Sequence, residues 1–173
     1  MSKTIPCTIP IREGFEEVFK EQFSLIYNYI YYHIGNAMDT EDLTADVFVR
    51  AYKYWESYSP GKGSRGAWLG GIAKNMVKTY FKERSKKPQI IGLSELICAD
   101  SDTEGEYLYK EELHQMFEII NTLPERQREI LTMKYLLHLT NRDIAKIMGM
   151  SESNVGVTLH RTIKTIQNNY KTK

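Results

Sequence analysis

Cysteine is nearly absent from this chain: Cys7 and Cys98 stand alone among 173 residues, with no histidine at ligand spacing from either. Two isolated thiols exclude a disulfide framework and a Cys/His zinc site, and they suit a reducing compartment. Apolar runs long enough to cross a bilayer are also missing, and Met1 to Pro10 lacks the hydrophobic centre of a signal peptide. A cytoplasmic protein without a membrane segment is the expectation. There is no internal repeat, no phosphate-binding glycine loop and no nucleophile–base pattern. The four histidines, His33, His114, His138 and His160, are dispersed. No enzyme, no metal, no cofactor and no small-molecule substrate are therefore expected.

Net charge is small as well, +1 overall, but it averages three unlike blocks. Residues 1–88 carry +3, residues 89–123 carry −7 and residues 124–173 carry +5. Within the first block, residues 60–88 alone hold eight basic residues against one acidic. Two basic modules joined by an acidic connector point to a polyanion gripped at two places.

What is present is helical periodicity. The spacing predicts a helix from Ile11 to Ile34, with Phe15, Val18, Phe19, Ile26, Tyr29 and Ile30 on its apolar face. Gly35-Asn36 ends it. A second helix starts at Asp39-Thr40 and turns Leu43, Val47, Ala51 and Tyr54 inward. After the break at Ser59-Pro60-Gly61-Lys62-Gly63, Ser64 opens a third helix with Leu69, Ile72, Ala73, Met76 and Tyr80 inward, which Pro88 stops. Residues 89–105 read as a flexible acidic linker. Four further helices follow from Glu106. The fold class is all-α: two small helical domains, 11–88 and 106–170, the second a helix-turn-helix domain of winged-helix-like, four-helix type.

Residues 123–164 carry the helix-turn-helix signature. Thr140 caps the helix Asn141–Met148 with Asp143 completing a capping box, and Gly149 ends that helix in the left-handed region. Ser151 caps the next helix, whose Val155, Leu159, Ile163, Ile166 and Tyr170 bury one face. The other face, with Asn154, Thr158, Arg161, Thr165 and Asn168, is polar and partly cationic, as phosphates and base edges require. On the third helix Lys74, Lys78 and Lys82 share a face, with Trp68 and Asn75 beside them. A ring, an amide and a row of ammonium groups match the chemistry of single-stranded nucleic acid.

These segments together resemble the small extracytoplasmic-function sigma factors of bacterial RNA polymerase. Asp39-Thr-Glu-Asp-Leu-Thr-Ala-Asp-Val-Phe-Val-Arg-Ala-Tyr is similar to the family's clamp-docking stretch. Ser64-Arg-Gly-Ala-Trp-Leu-Gly-Gly-Ile-Ala-Lys-Asn is similar to the part that melts and reads the −10 element. Leu123-Pro-Glu-Arg-Gln-Arg-Glu-Ile-Leu and the helix-turn-helix after it are similar to the −35 reader. The resemblance implies core-polymerase contacts at Asp39, Asp42, Leu43, Asp46, Phe48 and Arg50. It implies −10 capture by Arg65, Trp68, Lys74, Asn75, Lys78 and Lys82. It implies −35 contacts at Arg142, Ser151, Ser153, Asn154, Val157, Thr158, Arg161 and Lys164. The implied partners are core RNA polymerase, promoter DNA and an anti-sigma factor, often membrane-anchored in such proteins. One departure stands out: after Val155 the family usually carries basic, small polar, basic, whereas this chain has Gly156, Val157 and Thr158. A rival reading is a helix-turn-helix regulator that binds duplex DNA without polymerase, usually as a dimer.

Overall fold

The computed structural model describes residues 14–84 and 115–171. Regular structure among them is helical throughout. The first group is α1 (Phe15–Ile34), α2 (Ala37–Lys53) and α3 (Arg65–Glu83), with two short 3-10 turns, Trp55–Ser57 and Pro60–Lys62, between α2 and α3. The second is α4 (115–122), α5 (Glu125–Tyr135), α6 (Asn141–Met148) and α7 (Glu152–Lys171). The chain is all-α, and no strand occurs among the described residues, so the helix-turn-helix unit has no β-wing there. The expected linker 89–105, both cysteines, His114 and the Pro88 stop lie outside the described residues.

Local chemistry sets the helix ends. Gly35 adopts φ 67°, which glycine tolerates without steric cost, and its N–H donates to Tyr31 O at 2.8 Å to close α1. Asn36 then caps α2, its Oδ1 accepting from the Asp39 N–H at 2.9 Å. The second helix therefore begins at Ala37, ahead of the Asp39-Thr40 start expected from sequence. Ser64 caps α3 by accepting from the Ala67 N–H, and Ser151 caps α7 by accepting from the Asn154 N–H. The Thr140 hydroxyl accepts from the Asp143 N–H at 3.1 Å and donates to Asp143 Oδ2 at 2.8 Å.

Helices α1, α2 and α3 pack on one another through Val18, Ile26, Ile30, Val47, Ala51, Leu69 and Ala73, all fully buried. Each branched side chain removed from water here contributes roughly 1.5–3 kcal/mol. Ile130, Met133, Ile144 and Val155 do the same for the second group. Several inward assignments move. Phe19 is 40 % exposed, because it lies over the rim of α2 against Phe48 rather than beneath it. Tyr54 is exposed because it follows the last residue of α2 as its cap. Thr40 and Thr44 occupy the inner positions of α2 beside Val47, leaving Leu43 half-buried. In α7, Thr162 is buried, Ile163 is half-buried and Tyr170 is exposed near the helix end.

The two groups are in contact. A single continuous cluster of buried apolar residues runs from Val18 and Leu69 through Leu137 and Leu139 to Val155 and Leu159. Polar links cross the same boundary: Tyr29 Oη donates to Glu129 Oε1 at 2.6 Å, Ser64 Oγ to Asp143 Oδ2 at 3.2 Å, and Lys146 Nζ to Lys62 O at 2.6 Å.

Candidate nucleic-acid interface

Helix α3 presents Trp68 and Asn75 two turns apart, and both line one cavity of about 370 Å³. Trp68 is half-buried in an aromatic cluster, 5.5 Å from the Tyr58 ring and 6.0 Å from Trp55. Trp55 and Tyr58 stack on each other at 5.6 Å. Three rings held this way leave Trp68 fixed in orientation with part of its face open, which is how a stacking platform for a base is built. Sequence reasoning passed over Trp55 and Tyr58. Their signal was available in the aromatic run that precedes the Pro60-Gly61 turn, because such a turn folds the run back onto the helix that follows. Asn75, Lys78 and Lys82 are exposed along the same helix. Lys74 is half-buried, with Nζ 3.3 Å from Met148 Sδ. Arg65 faces α1 instead, pairing with Glu17 at 3.0 Å in an exposed bridge that contributes little.

On α2, Asp42, Asp46 and Arg50 form an exposed charged strip. Phe48 does not join it. At 4 % exposure it is a core residue, held under Phe19 and Phe23 with ring centroids at 4.8 and 5.8 Å, so it shapes the surface rather than contacting a partner. Asp39 is also engaged internally: its Oδ2 accepts from Tyr80 Oη and from Arg84 Nη1, both at 2.6 Å, and clips the start of α2 to the end of α3. Burial first, then this hydrogen bond to Asp39, holds the Tyr80 phenol above its ordinary pKa. The exposed apolar residues beside the strip are Phe19, Phe23, Met38 and Val49. Sequence reasoning had assigned none of these four to a surface.

Helix α7 projects Ser153, Asn154, Val157, Arg161 and Lys164 into solvent, and Arg142 is exposed on α6. Ser151 is exposed too, with its hydroxyl committed to the cap. Thr158 is half-buried at the edge of this face. Gly156 lies beside Asn141, where an added Cβ would meet Asn141 Nδ2 at 3.6 Å, ordinary van der Waals contact. The left-handed Gly149, φ 64°, gives the turn between α6 and α7. This is a helix-turn-helix with an open second helix.

Between the groups, His33 is buried with Nε2 3.5 Å from Glu129 Oε2. Burial is the largest influence and pushes its pKa down, outweighing the upward pull of Glu129. The imidazole is therefore neutral at pH 7, and the contact is not an ion pair. Among the described residues no group of three or more His, Cys, Asp or Glu side chains is placed to hold a metal ion, and no helix is long and apolar enough to cross a membrane.

Comparison with known proteins agrees with this geometry. The Sigma-70 region 2 family matches residues 18–87, and the Sigma-70, region 4 family matches residues 113–166. The ECF RNA polymerase sigma-E factor of Haemophilus influenzae is 30 % identical over 144 residues, 75 % of this chain and 74 % of that protein. The ECF RNA polymerase sigma factor BldN of Streptomyces coelicolor is 26 % identical over 138 residues, 79 % of this chain; the chain spans only about half of BldN, 52 % of its length. Among solved structures, the sigma factor RpoE of Bartonella quintana, in complex with the anti-sigma factor NepR, shares the fold. Its TM-score is 0.67 at 16 % identity, over 92 % of this chain and 98 % of that one.

Proposed function

The chain belongs to the extracytoplasmic-function sigma factors of bacterial RNA polymerase, and from that membership we propose a division of labour among its surfaces. Two units do the work, 11–88 and 106–170, tethered by 89–105. The first attaches to core polymerase through the α2 strip of Asp42, Asp46 and Arg50, with Leu43 at its edge and the exposed Phe19, Phe23 and Val49 beside it. Asp39 and Phe48 support that strip from within. The second unit lays α7 in the major groove of the −35 element, with Ser153, Asn154, Val157 and Thr158 toward base edges and Arg142, Arg161 and Lys164 toward phosphates. Val157 is suited to a thymine methyl. Ser151 sets the start of the reading helix.

The −10 element is opened by α3. Extracting a base from the duplex costs a few kcal/mol, which stacking on Trp68, an amide contact from Asn75 and the Lys74, Lys78 and Lys82 charges offset. Arg65 acts at the start of the same helix. The observation that carries this reading is the cavity shared by Trp68 and Asn75 on a helix whose exposed side is cationic. The protein works as a dissociable binding subunit in the cytoplasm, without catalysis of its own. Its relatives' company supports a further partner: RpoE is known in complex with the anti-sigma factor NepR, and an anti-sigma factor of this kind would hold the present chain off polymerase.

Run-off transcription with purified core polymerase tests the reading. Adding the chain should produce a transcript from a defined start site on a cognate promoter, while core alone produces none. If the chain shifts duplex promoter DNA by itself and never yields a transcript, it is a polymerase-independent helix-turn-helix regulator instead.

A further inference from the structure

A second cavity, of about 420 Å³, lies among α1, α3 and α5, and its chemistry differs from that of the Trp68 cavity. Lys74, Lys78, Arg126 and Arg128 all border it. Two of these cations have poor partners. Lys74 Nζ rests on the thioether of Met148 at 3.3 Å, and Arg126 Nη2 on that of Met150 at 3.7 Å. A thioether is a weak acceptor, far short of the charged oxygens that ammonium and guanidinium groups bind most strongly. Lys78 stands exposed beside them, whereas Arg128 is held in place by its bond to Asn121 O at 2.6 Å. Of the two carboxylates on the cavity, Glu129 is engaged, its Oε1 accepting from Tyr29 Oη, and Glu125 is exposed at the rim.

His33 is a second, independent observation. It lines the same cavity at 8 % exposure, and its Nε2 makes no hydrogen bond, with Glu129 Oε2 3.5 Å away. Leaving a buried ring nitrogen unmatched costs stability, so this is the group that an entering acceptor would satisfy.

We propose that this cavity binds a small phosphate-bearing anion, its oxygens held by Lys74, Lys78 and Arg126 with His33 Nε2 at the inner end. One phosphate group accepts from several charged donors at once, which neither sulfur can do. The volume falls within the roughly 300–1,000 Å³ usual for small-molecule sites. Val77 and Phe81 add an apolar wall on which a nucleotide ring can lie. A free diphosphate and a nucleoside diphosphate share the chemistry required. The inference stands apart from the sigma-factor reading: Arg126 and His33 belong to neither proposed DNA-contacting set, although Lys74 and Lys78 serve both surfaces.

Occupancy should be legible at the imidazole. His33 is faced by Glu125, Arg128 and Glu129 of α5 and by Tyr29 and Tyr32 of α1, with Lys74 and Lys78 of α3 on the same cavity. Burial keeps the ring neutral in the free chain. An anion against Nε2 favours the imidazolium, so binding should move the ring's titration to higher pH.

The test titrates the full chain with inorganic pyrophosphate and, separately, with ADP, at constant ionic strength. Calorimetry follows binding and NMR follows the His33 ring. Each compound should saturate at one per chain and raise the pH at which His33 titrates, which binding to surface cations alone would not do. Arg126→Gln should weaken binding about tenfold, the worth of one hydrogen bond between charged groups. The fold should survive this change, because Arg126 is exposed and gives up only a thioether contact. Tighter binding of ADP identifies a nucleotide as the source, and equal or weaker binding identifies the diphosphate alone; either upholds the site. No saturation at millimolar concentration overturns it, as does binding that leaves His33 unmoved or that Arg126→Gln does not weaken. A single-stranded DNA oligonucleotide that moves His33 when neither phosphate compound does overturns it too, since the cavity would then belong to strand capture. Polymerase takes no part in these measurements, so run-off transcription remains the separate test of the sigma reading.

Discussion

Asp143 joins the cap of α6 to the opposite half of the molecule. Its N–H donates to the Thr140 hydroxyl, and its carboxylate accepts from Thr140 and from Ser64 of the opposite half. The Thr140 cap was legible from its spacing to Asp143, although the Asp143 carboxylate accepts from the Thr140 hydroxyl rather than from the backbone N–H that a capping box would use. The bond to Ser64 was not, because a contact across 79 residues leaves no local periodicity. Asp143→Ala would strip two hydroxyls of their acceptor in a buried place. It should cost about 1–3 kcal/mol in urea unfolding, and Thr140→Ala about 1 kcal/mol. Asp39 teaches the same lesson in reverse. Its motif position suggested a polymerase contact, yet the carboxylate is taken by Tyr80 and Arg84, and nothing in the α2 sequence marks that bond.

His33 supplies a pH dependence at the same scale. Glu129, Arg128 and Glu125 of α5 face it, together with Tyr29 and Tyr32 of its own helix. Burial dominates and lowers its pKa in the folded chain. Above the ordinary histidine value of 6.5 the ring is neutral whether the chain is folded or not. Below it, the unfolded chain binds a proton that the folded chain resists, so stability falls as pH falls. Thermal melts between about pH 7.5 and about pH 5.5 should show wild type losing more stability than His33→Gln. Equal slopes would mean the ring is not held neutral.

At the scale of elements, helix α7 was the most readable part of the chain. Ser151 and Gly149 fixed its start, and Val155 and Leu159 its buried face, as the period required.

 The last turn was read less well. Buried Thr162 carries no apolar signal, and Tyr170 lies in the final turn of the helix, exposed. The reading face keeps little charge near its start, since Gly156, Val157 and Thr158 stand where relatives of this family usually place basic residues. A Cβ added at Gly156 makes ordinary contact with Asn141 Nδ2 at 3.6 Å, and a glycine inside a helix costs about 1 kcal/mol relative to alanine. Gly156→Lys should therefore stabilise the fold slightly and add one phosphate contact. In polymerase-dependent promoter binding, the slope of log affinity against log salt should steepen by about one. An unchanged slope would place residue 156 away from the DNA backbone.

For the whole molecule, helix order and the two basic modules were legible because charge blocks and 3.6-residue periods are properties of contiguous sequence. The way the halves pack was not legible. Nothing in the sequence pairs Leu137 and Leu139 with Gly66 and Gly70. Only the folded chain brings them together. The aromatic cluster of Trp55, Tyr58 and Trp68 falls between these cases, visible as composition but not as a site.

If α3 opens promoter DNA by capturing one strand, permanganate reactivity of unpaired thymines in the −10 element reports it directly. With core polymerase and the intact chain, those thymines should become reactive. With Trp68→Ala combined with Lys74→Gln, Lys78→Gln and Lys82→Gln, polymerase should still be recruited to the promoter while the thymines stay protected. Undiminished reactivity with that variant would mean that α3 does not capture the strand.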